Sequence, residues 1–265
     1  MDNRSIGVLD SGVGGLSIWS KIVQKLPNES TIYIADSKHC PYGSKSEREI
    51  YQLTKRLVGF LLEKNCKLIV LACNTITVCC LDKLRQDVPD IPIIGTVPVI
   101  KTAAETSKNK KIGILSTKQT AQSAYQKHLI QKFANDCEVV TIGTDKLVPF
   151  VEKGDLQSGF LEQILKEELQ PFILARIDTL ALGCSHFPFI KDQIQEILGA
   201  HVSILDSGAA IARQVHRVLN NNVALSLQKQ PAHILYTTGN KNQFAIIAIK
   251  LALSENRFLV KEISL

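Results

Sequence analysis

Leu68-Ile69-Val70-Leu71-Ala72-Cys73-Asn74-Thr75 is an aliphatic run that stops abruptly at a thiol, an amide and a hydroxyl. A short, continuous apolar run of this kind reads as a strand buried on both faces, which belongs in a parallel sheet covered by helices. The same reading recurs at Asp178-Thr179-Leu180-Ala181-Leu182-Gly183-Cys184-Ser185. An earlier pair echoes in the same way: Ser5-Ile6-Gly7-Val8-Leu9-Asp10-Ser11 and Lys111-Ile112-Gly113-Ile114-Leu115-Ser116-Thr117. In each half the cysteine follows the first element by roughly sixty-five residues, as a duplicated supersecondary block gives. Two echoing pairs in one order predict an α/β protein of two facing, pseudo-symmetric domains. The sheets are mainly parallel, and the active site lies between them.

Working outward, Val-, Ile- and Leu-rich runs mark strands at 5–9, 31–35, 67–72, 92–95, 111–115, 138–142, 178–182, 202–205, 233–237 and 258–263. Amphipathic stretches between them mark helices at 15–25, 47–64, 75–86, 120–134, 158–169, 190–198 and 208–219. This alternation is that of a parallel sheet with helices on both faces. The boundary falls near Gly95-Thr96-Val97-Pro98, and the segment after Asp206-Ser207-Gly208 has no counterpart in the second block. The expected domains are therefore 1–97 with 208–265, and 98–207.

Composition narrows the class. A hydrophobic content of 45% with 21% charged residues is that of a chain able to bury a core. Lys and Arg exceed Asp and Glu by 31 to 25, but the basic residues are scattered and do not alternate with aromatics. That pattern argues against a nucleic-acid footprint, while a cationic bias suits an acidic small-molecule substrate. No apolar run approaches the ~18 residues of a membrane helix, and no apolar leader precedes the first strand. Seven cysteines, an odd number without disulfide-framework or C-x-x-C spacing, point to free thiols in the cytoplasm and to no metal centre. A homo-oligomer is compatible with all of this.

Ligands of open parallel sheets bind beyond the carboxyl ends of strands. Three such junctions are polar: Asp10-Ser11-Gly12, Cys73-Asn74-Thr75 and Cys184-Ser185-His186. One alone reads as a helix cap; three in echoing halves read as one shared site. Both cysteines fall at predicted helix starts, where the helix dipole is expected to lower a thiol pKa. One activated cysteine suggests acyl transfer. Two at matching positions suggest inversion of a stereocentre, which needs a base on one face and an acid on the other. Cys66, Cys79, Cys80 and Cys137 read as packing residues. Asp10 and His186 stand beside the thiols, where a carboxylate or imidazole can exchange a proton with them, and Glu152 is a candidate to orient His186. A rival reading takes Gly12-Val13-Gly14-Gly15-Leu16-Ser17, with Asp36, as a dinucleotide-binding loop. It departs from that fingerprint at Ser17, where a third glycine is wanted, and at Asp10, a negative charge at the turn meant for a pyrophosphate.

The sequence resembles the glutamate racemases. The resemblance rests on Asp10 to Ser17, Pro41-Tyr42-Gly43, Ala72-Cys73-Asn74-Thr75, Gly183-Cys184-Ser185-His186-Phe187-Pro188 and Asp206-Ser207-Gly208. It implies cofactor-independent interconversion of L- and D-glutamate, supplying D-glutamate for peptidoglycan. It further implies that Cys73, supported by Asp10, takes the α-proton of the D-enantiomer. Cys184, supported by His186 and Glu152, takes that of the L-enantiomer. Ser11, Tyr42, Gly43, Asn74, Thr75, Thr117, Ser185 and His186, with Asp10, would hold the substrate. Ser185 stands where the family commonly has Thr, and Gln119 where it often has Gly. Some relatives with an N-terminal extension need a cell-wall precursor as activator; the short start here speaks against that. A two-cysteine racemase or isomerase of aspartate, a hydantoin or another small diacid is the alternative, and a non-catalytic two-domain binding protein a further one.

Overall fold

The computed structural model describes residues 1–253 and 258–265. One sheet is built on β1 (Ile6–Asp10), β2 (Thr31–Ala35), β3 (Leu68–Leu71) and β4 (Ile93–Gly95). A second is built on β5 (Lys111–Ser116), β6 (Glu138–Gly143), β7 (Thr179–Gly183) and β8 (Ser203–Leu205). The chain then returns to the first sheet with β9 (His233–Thr237) and β10 (Leu259–Glu262). The orders are β10-β9-β2-β1-β3-β4 and β6-β5-β7-β8, and each pairing is parallel.

The order of the second sheet repeats four consecutive strands of the first: β2-β1-β3-β4 corresponds to β6-β5-β7-β8. The internal echo is thus topological, with β1 matching β5 and β3 matching β7. In each sheet the chain leaves the first strand to one side and returns on the other. A crevice opens where these crossovers diverge, at the carboxyl ends of the two central strands. Asp10 and Cys73 lie at that point in the first sheet, Thr117 and Cys184 in the second.

Every residue of β1, β2, β3 and β7 is buried, as their unbroken apolar character predicts. The returning helix Gly208–Val218 packs along the first helix, Leu16–Lys25. A buried ion pair, Lys67 Nζ to Glu29 at 2.8 Å, also ties down the return segment. Lys67 donates to the Ala224 carbonyl, and Glu29 accepts from the Ser226 N–H.

Three differences from the sequence expectation have local causes. The helix expected at 120–134 breaks at Ser123, whose hydroxyl accepts from the Gln126 N–H and starts the new helix Ala124–Phe133. Short helices at Ile100–Thr106, Val148–Glu152 and Lys241–Ala248 carry too few residues to show a periodic pattern. Cys184 does not begin an α-helix. Pro188 favours the 3-10 turn Phe187–Ile190, and the α-helix Lys191–Leu198 starts only after it.

Candidate active site

Ser11, Tyr42, Gly43, Cys73, Asn74, Thr75, Thr117, Cys184, Ser185 and His186 line one small cavity, with Pro41 and Val148. The fold therefore gathers the expected site residues from both sheets around one point. Asp10 and Glu152 do not line it; they stand behind residues that do. The two thiols are 5% exposed each, shielded from bulk water but open to the cavity.

The first half of the site grows from β1 and β3. Cys73 caps the helix Asn74–Asp87, and its Sγ lies 3.6 Å from Ser11 Oγ. The expected lowering of its pKa is not found. Burial pushes the thiol well up and the charge of Asp10 adds to this, while the Ile76 N–H at the helix start and Ser11 only partly oppose it. A helix terminus is too weak to offset complete desolvation. Asp10 makes no hydrogen bond to Cys73 among the described residues. Its Oδ1 accepts from the Gly12 N–H and its Oδ2 from the Ser185 hydroxyl, at 2.8 and 2.9 Å.

The second half grows from β7. Cys184 Sγ lies 3.7 Å from His186 Nδ1, and His186 Nε2 lies 2.6 Å from Glu152 Oε1. That carboxylate oxygen also accepts from the Val13 N–H at 2.8 Å, so the glycine-rich loop of the first sheet holds the helper of the second thiol. Burial opposes charge on His186. Its hydrogen bonds with Cys184, Cys40 and Glu152 overcome burial and hold its pKa well above the ordinary imidazole value.

Hydroxyls close the site between the sheets. Thr75 Oγ1 and Thr117 Oγ1 are 2.9 Å apart, and Asn74 donates to the Thr96 carbonyl at 3.4 Å. Tyr42 lines the cavity, but its hydroxyl is committed to Asp36 at 2.6 Å. Asp36 also accepts from Thr238 and pairs with His39, which fixes the loop that presents Tyr42 and Gly43.

These contacts dispose of the dinucleotide reading. A Cβ at Gly12 would fall 1.9 Å from Glu152 Oε1, one at Gly14 2.3 Å from His186 Nδ1, and one at Gly15 2.6 Å from Asp10 Cβ. The glycines admit protein side chains into the space where a pyrophosphate would sit. Asp36 is 2% exposed and fully engaged, so it cannot serve a ribose.

Sequence reasoning missed Cys40, which meets His186, and Asp145, whose Oδ1 would fall 1.9 Å from a Cβ at Gly43. Cys40 directly precedes the Pro41-Tyr42-Gly43 motif, a signal that was available; Asp145 carries none. Of the cysteines expected to pack, Cys66 and Cys80 are buried, whereas Cys79 and Cys137 are half-buried.

Two like-ordered parallel sheets meeting at one thiol-lined cavity define the class, an α/β amino-acid racemase. The family model for Asp/Glu/Hydantoin racemase matches residues 6–215, and the chain belongs to that family. Within it the chain is similar to glutamate racemases. It is 44% identical over 228 residues to that of Pseudomonas entomophila, covering 85% of this chain and 86% of the relative. The crystal structure of a glutamate racemase isoform from Bacillus anthracis superposes with a TM-score of 0.91 at 33% identity, covering 100% of this chain and 99% of that one. The glutamate racemase of Francisella tularensis in complex with D-glutamate gives 0.86 at 31% identity, covering 100% and 98%.

Proposed function

We propose that this protein interconverts L- and D-glutamate by moving the α-proton between Cys73 and Cys184. One observation carries the proposal. Two thiols at corresponding strand ends of two like-ordered sheets line a single cavity. A carbon held between them meets one thiol on each face, the arrangement that inversion by proton transfer requires.

In this reading Cys184 passes its proton to the His186–Glu152 pair and then takes the α-proton of the L-enantiomer. Cys73 works on the D-enantiomer, next to Ser11 and within the field of Asp10. Ser11, Asn74, Thr75, Thr117, Ser185 and the Tyr42-Gly43 loop offer hydroxyl, amide and backbone donors for the two carboxylates and an acceptor for the ammonium. Two thiols suffice for a proton transfer, so the reaction is written without cofactor or metal; no lysine lines the cavity among the described residues to form a Schiff base. The product is D-glutamate for peptidoglycan, and we place the reaction in the cytoplasm, where seven free cysteines stay reduced.

The test is NMR of L-glutamate in deuterated water with the purified protein. Loss of the α-hydrogen signal with appearance of the D-enantiomer is expected. A panel with aspartate and hydantoins sets the substrate, and absence of exchange with every member would overturn the reading.

A further inference from the structure

We propose that Cys40, Glu152 and His186 form a binding site for a thiophilic divalent cation of the zinc class, behind the cavity and sharing His186 with its lining. Their sulfur, carboxylate oxygen and imidazole nitrogen all lie within 4.8 Å of one another. They converge from three separate segments: the loop after β2, the helix Val148–Glu152, and the turn after β7. No local spacing in the sequence could reveal such a set.

The donor chemistry chooses the ion. One sulfur, one imidazole nitrogen and one carboxylate oxygen suit zinc or cadmium, whereas magnesium and calcium demand oxygen ligands. Zinc bonds are about 2.3 Å to sulfur and about 2.0–2.1 Å to nitrogen, so side-chain rotations of about an ångström close the site. Three protein ligands leave a fourth position for water.

Glycine at position 12 leaves room beside two of the donors. A Cβ at Gly12 would fall 1.9 Å from Glu152 Oε1 and 3.0 Å from Cys40 Sγ, so glycine there keeps both donors uncovered. Glu152 also borders a second cavity, shared with Val13, Ser37 and Phe244. That cavity reaches the Glu152 side of the site, while His186 faces the substrate cavity. Binding displaces the Cys40 thiol proton and the proton shared by His186 and Glu152. A bound cation therefore immobilises the pair that serves Cys184 and inhibits turnover. Only this inhibition rests on the function proposed above; the binding does not.

Equilibrium dialysis of zinc against the metal-free protein is expected to give one tight equivalent, with cadmium producing thiolate charge-transfer absorption. Cys40→Ser and Cys40→Ala should each weaken binding by about 100-fold or more, the alanine variant serving if the serine variant misfolds. The Cys73→Ser/Cys184→Ser double variant should keep the site, and magnesium should not compete. Unchanged binding in the Cys40 variants, loss of binding in the double variant, or no stoichiometric binding would overturn the proposal. Glutamate exchange is followed in the same samples: saturable zinc inhibition relieved by Cys40→Ser supports the regulatory role, and binding without inhibition removes it. A protein inactive on glutamate would refute the proposed function while leaving the binding result to stand.

Discussion

Ser185 donates its hydroxyl hydrogen to Asp10 Oδ2 at 2.9 Å, joining the turn after β7 in one sheet to the last residue of β1 in the other. The bond crosses between the two halves beside both thiols. It also engages an acid that is wholly shut off from solvent.

That burial predicts a trade between stability and activity. Burial raises the Asp10 pKa, although His186, the Gly12 N–H and the Ser185 hydroxyl pull against it. A raised folded value means that folding favours the protonated acid. The ionised form becomes a penalty as pH rises from the unfolded value, about 3.9, through the folded one. Asp10→Asn should therefore raise the melting temperature at neutral pH, with the gain shrinking on acidification, while slowing turnover. Thermal melts at several pH values check this. An asparagine variant less stable at pH 7 would mean that the two accepted hydrogen bonds outweigh burial.

The His186–Glu152 pair carries the opposite sign. His186 has a raised folded pKa, so its contribution to stability is fully present below the unfolded value of about 6.5. That contribution is lost as pH rises through the folded value. Glu152→Gln keeps an acceptor for the Val13 N–H but removes the charge that favours the imidazolium. NMR titration should show a lower His186 pKa in this variant, and its stability should fall less across the alkaline side of neutrality.

Gly14 is a steric keyhole for His186. Any Cβ there would lie 2.3 to 2.7 Å from three ring atoms, so Gly14→Ala must turn the imidazole away from Cys184. The expected result is a folded protein, by circular dichroism, with turnover reduced by 100-fold or more, about 2.7 kcal/mol. Near wild-type turnover would mean that the ring relocates without loss.

The strands were legible because burial on both faces leaves an unbroken apolar run, and β1, β3, β5 and β7 are buried almost throughout. The thiols, Asp10 and His186 were legible because each sits at the end of such a run. Glu152 was only guessed from its position and reaches His186 through a five-residue helix too short to announce itself. The electrostatics were misread at Cys73. A helix start is visible in sequence, whereas the depth of burial that overrides it is a property of the assembled cavity. Cys40 meets His186, and Asp145 approaches Gly43, through tertiary contact alone.

The two cysteines, taken singly, test the two-base arrangement. Cys73→Ser and Cys184→Ser are nearly isosteric, and each should fold. An alcohol is far less acidic than a thiol, so each should lose racemisation by several orders of magnitude. Steady-state assays in both directions are the measurement. Retention of more than about a tenth of wild-type turnover, a loss under ~1.4 kcal/mol, would remove that thiol from the proton path.

Asymmetry between those variants tests the geometry itself. If the thiols flank the α-carbon, each single variant keeps one working base with its own neighbours: Ser11 and Asp10 for Cys73, His186 and Glu152 for Cys184. A substrate with a leaving group on the β-carbon, such as β-chloroalanine or a threo-3-chloroglutamate, eliminates once deprotonated and so reports abstraction without return of the proton. Cys73→Ser should then process the L-enantiomer and Cys184→Ser the D-enantiomer. Neighbour substitutions should divide the same way, with His186→Asn impairing abstraction from L and Asp10→Asn from D. The Asp10–Ser185 hydrogen bond complicates the second pairing in a readable manner, because Ser185→Ala removes that bond while sparing the carboxylate. Ser185 also lines the cavity, so its loss should weaken substrate binding for both enantiomers. If Asp10 serves Cys73 directly, the two abstractions should fall alike; if it acts by bracing the Cys184 turn, abstraction from L should fall further than abstraction from D. Should both cysteine variants prefer the same enantiomer, the thiols do not face each other across the carbon, and the two-base mechanism fails even for an active racemase.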